Sequence, residues 1–132
     1  MGHLLGTGLL DAEKEMQVVR RLLDPSLFFG YGIRALSTTN GGFGALRYHG
    51  GSVWTHDTDY ILSGMLRTAV AAAARVLARG LLRAGEGFDN RLQELFGGHD
   101  ADQVDLSLPC PESSRPQAWS AASAVPIAQG LL

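Results

Sequence analysis

Two segments of the sequence carry side chains of the types that bind and cleave sugars. The first runs from Tyr48 to Asp57 and reads YHGGSVWTHD. Aromatic rings pack on the apolar C–H faces of a pyranose, and His, Ser and Asp side chains hydrogen-bond its hydroxyl groups, while glycines let the backbone approach closely. This combination of residue types is compatible with a carbohydrate-binding loop. Its candidate contacts are Tyr48, His49, Trp54, His56 and Asp57.

The second segment runs from Asn90 to Gly98 and reads NRLQELFGG, with a single carboxylate, Glu94, just before the Gly-Gly pair. A plainer interpretation stands beside the chemical one, and composition alone favours it. Trp54 would then be a core tryptophan, His56 and Asp57 helix-capping groups, and Glu94 a surface carboxylate.

The elements that must position these segments are helical. Between Asp11 and Leu23, apolar residues recur at helical spacing among charged ones, which predicts an amphipathic helix ending near Asp24-Pro25. The following stretch, Ser26 to Thr55, is rich in glycine and aromatic residues. A connection of this length with little regular structure is usually functional or disordered, and the aromatic content argues against disorder.

The strongest helix prediction covers about Asp57 to Arg83. Apolar residues and alanines occupy more than one face there, and the arginines at 67, 75, 79 and 83 form a narrow polar stripe. This pattern indicates a helix buried on most sides, as in a bundle or toroid. Asp57 or Thr58 is expected to cap its first turn.

The C-terminal third contains a polar loop and a final helix. After a short segment around Phe88 to Phe96, the loop from Gly97 to Arg115 is rich in Asp and Pro. We expect Pro116 at the first position of a helix from Gln117 to about Ala124, with Ser114 near its cap and Pro126 kinking or ending it. No β-strand alternation is evident. The prediction is an all-α chain of about four helices joined by long Gly/aromatic loops.

Composition narrows the classes of partner. The 132 residues suit one domain. The 11 basic and 13 acidic residues give a net charge of -2, so the sequence has no excess of positive charge for binding nucleic acid. Cys110 has no second cysteine for an intrachain disulfide. The apolar run from Ile61 to Leu82 is interrupted by three arginines, and the N-terminus has no signal-peptide pattern. We therefore expect a cytoplasmic protein with neither nucleic-acid nor membrane partners.

Familiar cofactor and metal motifs do not fit. His49, His56 and Asp57 match no metalloprotease spacing, and the Asp-rich stretch 100–105 departs from a calcium loop. Gly50 to Trp54 lacks the final glycine of a nucleophile elbow, and no glycine-rich phosphate loop is present. We expect no metal and no cofactor.

Four motifs, in order, resemble those of bacterial amylo-α-1,6-glucosidase-like proteins, the glycogen debranching enzymes. Residues 30–37, GYGIRALS, resemble the family's GYGIRTLS, and residues 48–57 resemble YHNGSVWPHD. Residues 91–96, RLQELF, resemble RLPELF, and residues 116–120, PQAWS, resemble PQAWA. The chain departs from the family at Gly50, Thr55 and Gln93, where the family has Asn, Pro and Pro.

The resemblance implies an inverting glycosidase on an (α/α)6 toroid, acting on α-glucosidic linkages of glycogen-like glucans. Residues 1–132 would be a single segment from the C-terminal part of that domain, and the opening GHLL resembles an internal family segment, so Met1 is not expected to be the native start. Glu94 would be the general base, and the general acid would come from an upstream loop. The chain alone is therefore expected to be inactive.

The same resemblance assigns binding roles and partners. Trp54 and Trp119 would face the sugar, while His49, His56 and Asp57 would contact its hydroxyl groups, and Gln117 would support the start of the last helix. The partners would be an α-glucan or oligosaccharide and the remainder of the catalytic domain or a homologous chain. The alternative is a non-catalytic helical module that binds glucan or a protein partner.

Overall fold

The computed structural model describes residues 1–132, whose regular structure is almost entirely helical. A 3-10 turn spans Gly2–Leu4, and the helices are α1 (Ala12–Leu22), α2 (Thr55–Leu66), α3 (Ala71–Glu86), the short α4 (Ala118–Ala122) and α5 (Ala124–Leu131). Strands β1 (Val53–Trp54) and β2 (Leu95–Phe96) form a small antiparallel sheet. The largely helical class is confirmed. The expectation of no strand is wrong.

Helix α1 begins and ends where local signals place it. The Asp11 side chain accepts a hydrogen bond from the backbone N–H of Lys14 and so caps the first turn. Val19 and Leu22 are buried, and the helix ends before Pro25, as predicted. Because its apolar stripe has a partner surface, α1 packs as an amphipathic helix on the core.

The single helix predicted for residues 57–83 is in fact two helices, so this prediction is wrong. α2 ends at Leu66 and α3 begins at Ala71, after a tight turn in which the Thr68 hydroxyl donates to the Met65 carbonyl oxygen (2.9 Å). A hydroxyl that bonds to the backbone of the preceding turn weakens helix propagation there. Arg67 lies in the turn, so the arginine stripe is not continuous along one helix.

The expected cap of α2 is also wrong. Trp54 occupies the N-cap position and makes no side-chain capping bond, and the helix begins at Thr55. Asp57 lies within the first turn, where a carboxylate interacts favourably with the helix dipole, and Thr58 is buried inside the same turn.

The core is built where α2, α3 and α5 pack against one another. Leu62 and Met65 of α2 and Leu77 and Leu81 of α3 are fully buried there. The Arg75 guanidinium donates to the carbonyl oxygen of Leu132 (3.3 Å), which places the end of α5 beside the beginning of α3. α3 and α5 are therefore antiparallel neighbours. None of the helices has the length and apolar character needed to traverse a lipid bilayer.

Residues 26–52 form an ordered loop organised around Arg34, whose residue surface is only 2% exposed. Its guanidinium donates to the carbonyl oxygens of Gly98 (2.8 Å) and Pro25 (3.0 Å). It also pairs with the Asp100 carboxylate (2.6 Å) and lies 4.1 Å from the centre of the Phe29 ring. One side chain thus ties the loop between α1 and β1 to the loop after β2.

The C-terminal helices differ from the prediction in their details. Gln117 is the N-cap of α4, its side chain accepting the N–H of Ser120, so neither Pro116 nor Ser114 occupies the predicted position. The helical path does not stop near Ala124 but continues through α5. Pro126 is the third residue of α5 and does not end the helical path, but the path is interrupted at Ser123, between α4 and α5. Proline has no N–H to bond the carbonyl oxygen of Ala122, four residues earlier, so the break lies where a proline interrupts a helix.

Two glycines bring separate loops into backbone contact beside the small sheet. The N–H of Gly98 donates to the carbonyl oxygen of Ala45 (2.9 Å). A Cβ atom at Gly98 would collide with the carbonyl oxygen of Gly51, and Gly51 has a φ of 146° that side chains disfavour. The crossing therefore requires glycine on both sides.

Candidate functional site

The small sheet brings together the two segments singled out from the sequence. Trp54 of β1 is paired with Leu95 of β2. The backbone N–H of Thr55 donates to the carbonyl oxygen of Glu94 (3.0 Å), and the Thr55 hydroxyl donates to that of Gln93 (2.6 Å). The segment carrying Glu94 is thus fixed to the start of α2.

Five of the predicted binding residues form a continuous cluster of rings, the aromatic wall: Tyr48, His49, Trp54, His56 and Trp119. The His49 ring is stacked on Trp54 with centroids 5.1 Å apart and planes at 5°. Tyr48 meets Trp54 edge to face at 4.6 Å. His56 links the two tryptophans, at 5.9 Å from Trp54 and 4.5 Å from Trp119.

Backbone hydrogen bonds hold the aromatic wall in shape. The Trp54 indole N–H donates to the carbonyl oxygen of Tyr48 (2.8 Å), and the buried Ser52 hydroxyl donates to the same oxygen (2.6 Å). Trp119 remains 58% exposed and His49 is also exposed. The wall is therefore a fixed surface open to solvent, with the apolar faces and polar ring edges that a sugar surface requires.

Glu94 lies at the edge of the aromatic wall. Its side chain is partly buried, and one carboxylate oxygen accepts the backbone N–H of Ser114 (2.9 Å). The pKa of the Tyr48 hydroxyl is raised above its ordinary value, first by removal from water and then by the negative charges of Glu94 and Glu112. The Glu94 carboxylate is therefore close enough to act electrostatically on the wall.

A small cavity, the Trp54 hollow, lies beside the wall and has a volume of about 250 Å³. Its lining includes Trp54, Asp57, Thr58 and His3, and the buried Thr58 hydroxyl has no hydrogen-bond partner within the protein. Buried polar groups normally have partners, so this unpaired hydroxyl is unusual, but its oxygen is buried behind the lining of the hollow. Glu94 does not line the hollow, so the carboxylate and the cavity lie at separate positions around Trp54.

Asp57 has a partner that sequence reasoning did not identify. Its carboxylate lies 3.0 Å from the His3 imidazole and 3.8 Å from that of His56. His3 in turn packs against Tyr60, with ring centroids 5.1 Å apart. His49 stacks on Trp54, so among the three residues considered as metal ligands only His56 and Asp57 contact each other.

Gln117 stabilises the last helices by the capping bond described above, as the resemblance implied. The adjacent Ser120 hydroxyl donates to the carbonyl oxygen of Gln93 (2.8 Å), one residue before Glu94. This contact connects α4, and with it Trp119, to the Glu94 segment. Gln117 itself lines a groove between α3 and α5, outside the aromatic wall.

Asp59 is a functional candidate that sequence reasoning missed. It lies one helical turn after His56, and its Oδ1 atom is buried without a hydrogen-bond partner. Loss of hydration raises its pKa to about 6, although the nearby His56 acts in the opposite direction. The sequence signal was weak, since an Asp three residues after a His on a helix is ordinary, and α4 packs against α2 only in the fold.

Replacing Asp59 with asparagine is expected to increase stability at neutral pH. The folded chain keeps the Asp59 proton up to a pH of about 6, whereas the unfolded chain releases it near the ordinary aspartate pKa of 3.8, so stability falls as pH rises between these values. Since the group is only half buried, solvent screening limits the gain to about 1 kcal/mol. Urea unfolding at pH 4 and pH 7 tests this. A gain of equal size at both pH values contradicts it.

No protein-family model matches the chain, and no curated protein matches it.

Proposed function

We propose that this chain binds α-glucan on the aromatic wall, as the C-terminal segment of an inverting glycoside hydrolase of the amylo-α-1,6-glucosidase type. The observation that carries the proposal is the wall itself, five contacting rings with a fixed carboxylate, Glu94, at their edge. This partly exposed surface presents both ring faces and ring edges, because most neighbouring rings stand nearly at right angles. Such a mixture suits pyranose rings, whose C–H faces are apolar and whose rims are polar.

The four family-like motifs meet around this surface, which supports the proposal. Residues 48–57 supply most of the rings, residues 91–96 supply Glu94, and residues 116–120 supply Trp119. Residues 30–37 lie behind them, where Arg34 forms a backbone bridge with Val53. Motifs that are distant in sequence converge because their side chains and strands contact one another.

In the proposed mechanism Glu94 acts as the general base. It takes a proton from a water molecule as that water attacks the anomeric carbon, while a carboxylic acid from another part of the catalytic domain protonates the departing oxygen. The two carboxyl groups of an inverting enzyme stand roughly 6.5–9.5 Å apart to admit the water. The site acts on α-glucosidic linkages of a glycogen-like glucan in the cytoplasm.

The helical hairpin of α2 and α3, with α5 packed on both, would form part of an (α/α)6 toroid in this proposal. Antiparallel helix pairs are the repeating unit of such a toroid, and α3 and α5 are antiparallel neighbours. The remaining helices would come from the rest of the catalytic domain or from a homologous chain.

Trp54→Ala is the direct test of glucan binding. Since Trp54 contacts three other rings of the wall, its loss is expected to weaken binding of maltoheptaose by about tenfold or more. Isothermal titration calorimetry of the full chain measures this, with circular dichroism to verify folding. Tyr60→Ala is the matched control, because Tyr60 is an exposed aromatic residue of α2 outside the wall. Absence of saturable binding by the unaltered chain contradicts the proposal.

The second candidate is a non-catalytic glucan-binding module. The separation of Glu94 from the Trp54 hollow favours it, because a sugar in the hollow would not face that carboxylate. An assay of glucose release distinguishes the hydrolase segment, which releases glucose, from the non-catalytic module, which does not. Saturable, Trp54-dependent binding without hydrolysis, even in the presence of the remaining catalytic domain, supports the module.

A further inference from the structure

An apolar groove separate from the aromatic wall runs between α3 and α5. Its volume is about 790 Å³, within the roughly 300–1,000 Å³ typical of ligand sites. Leu81 and Leu82 of α3 lie on one side, and Ile127 and Leu131 of α5 on the other. Leu82 is 50% exposed, so apolar surface is open to solvent along the groove.

One end of the groove is cationic. Arg91 follows the end of α3, Arg115 precedes α4, and both line the groove together with Asn90 and Gln117. The Arg91 side chain makes no hydrogen bond or ion pair in the structure. Arg115 reaches only Asp89, at 3.4 Å, and the Asp89 side chain is 93% exposed. An exposed pair of this kind contributes little, so both guanidinium groups are available.

The other end of the groove is apolar. The contact between Arg75 and the carbonyl oxygen of Leu132 places Leu131 near the beginning of α3, away from the two arginines. From Ala124 to Leu131 the α5 backbone extends about 10 Å, at about 1.5 Å per residue. The groove therefore has a charged head region and an apolar tail region.

We propose that this groove binds a single-chain amphiphile with an anionic head, of which a fatty-acid carboxylate is the simplest example. The head group accepts hydrogen bonds from Arg91 and Arg115, since guanidinium groups pair with carboxylates in bidentate geometry. The acyl chain lies between Leu82 and Leu131 and removes their exposed apolar surface from water. This site is independent of glucan binding.

Calorimetric titration of the full chain with dodecanoate, below its micellar concentration, tests the proposal. We expect saturable binding of one molecule per chain. The double variant Arg91→Gln/Arg115→Gln should weaken binding by about tenfold or more, since hydrogen bonds to charged groups are lost. Ala128→Trp, which places an indole in the groove from an exposed lining position, should abolish it. Arg20→Gln, on α1, is the charge-matched control and should have no effect.

Dodecyltrimethylammonium, with the same tail and a cationic head, separates charge recognition from adsorption to apolar surface. Equal affinity for the two amphiphiles, or a double arginine variant that binds like the unaltered chain, overturns the proposal. So does the absence of saturable binding. Light scattering provides the last test. A dimer that Ala128→Trp dissociates shows that a second copy occupies the groove, which also overturns it.

Discussion

Glu94→Gln is expected to reduce α-glucoside hydrolysis by about a hundred- to ten-thousandfold in the enzyme of which we propose this chain to be a segment, the range typical for loss of a general base. Glutamine keeps the shape of the side chain and its ability to accept the Ser114 N–H, but it cannot remove a proton from water. Oligosaccharide binding should therefore persist. Release of glucose from a branched maltooligosaccharide measures the rate, and calorimetry measures binding.

Glu112→Gln is the matched control for this prediction. Glu112 is exposed and, like Glu94, its negative charge raises the pKa of Tyr48, so the control removes a nearby charge without removing the proposed base. A second readout reports on the local charge alone. Spectroscopic titration should show the Tyr48 pKa shifting downward in both variants. Undiminished hydrolysis by Glu94→Gln removes Glu94 from the role of base.

Arg34→Met is expected to destabilise the fold by about 3 kcal/mol, because it removes a buried guanidinium that donates to two backbone carbonyl oxygens and pairs with Asp100. Methionine fills much of the same volume beside Phe29. It cannot donate to the carbonyl oxygens of Gly98 and Pro25, and it leaves Asp100 without its cation. Urea unfolding monitored by circular dichroism measures the loss.

Asp100→Asn should have a smaller effect than Arg34→Met. Asp100 is 39% exposed, and asparagine can still accept a hydrogen bond from the guanidinium. Arg20→Gln again supplies a control, since Arg20 is an exposed residue of α1. A change of less than about 1 kcal/mol in Arg34→Met, within the range of ordinary substitutions, means that Arg34 does not hold the two loops together.

The accuracy of the fold predictions depended on how local each signal was. Helix α1 was predicted closely because its cap, Asp11, and its stop, Pro25, lie within its own sequence. The break between α2 and α3 was missed because the apolar pattern continues through it, and Thr68 is the only polar uncharged residue of the turn. Strands of two residues are too short to show the alternation of apolar and polar residues that identifies a strand, so β1 and β2 could not be predicted from the sequence.

The predictions of site residues also succeeded where the signal was local and failed where it depended on tertiary contacts. Ring-bearing residues such as Trp54 and Trp119 could be selected by residue type, and the structure places them in one wall through His56. The partner of Asp57, the imidazole of His3, lies in the N-terminal segment, to which the sequence assigned no role in the site. The environment of Asp59 was equally unpredictable, because its desolvation arises from tertiary packing and not from its neighbours in sequence.

The crossing of Gly51 and Gly98 sets the spacing between two loops through direct main-chain contact. With no side chain between them, the two loops rest directly on one another, and Arg34 holds the Gly98 side in place. A single methyl group inserted there would push the loop that carries Tyr48 and His49 away from the segment that carries Glu94. In the proposed function, the fit to a glucan would then change through a residue outside the aromatic wall.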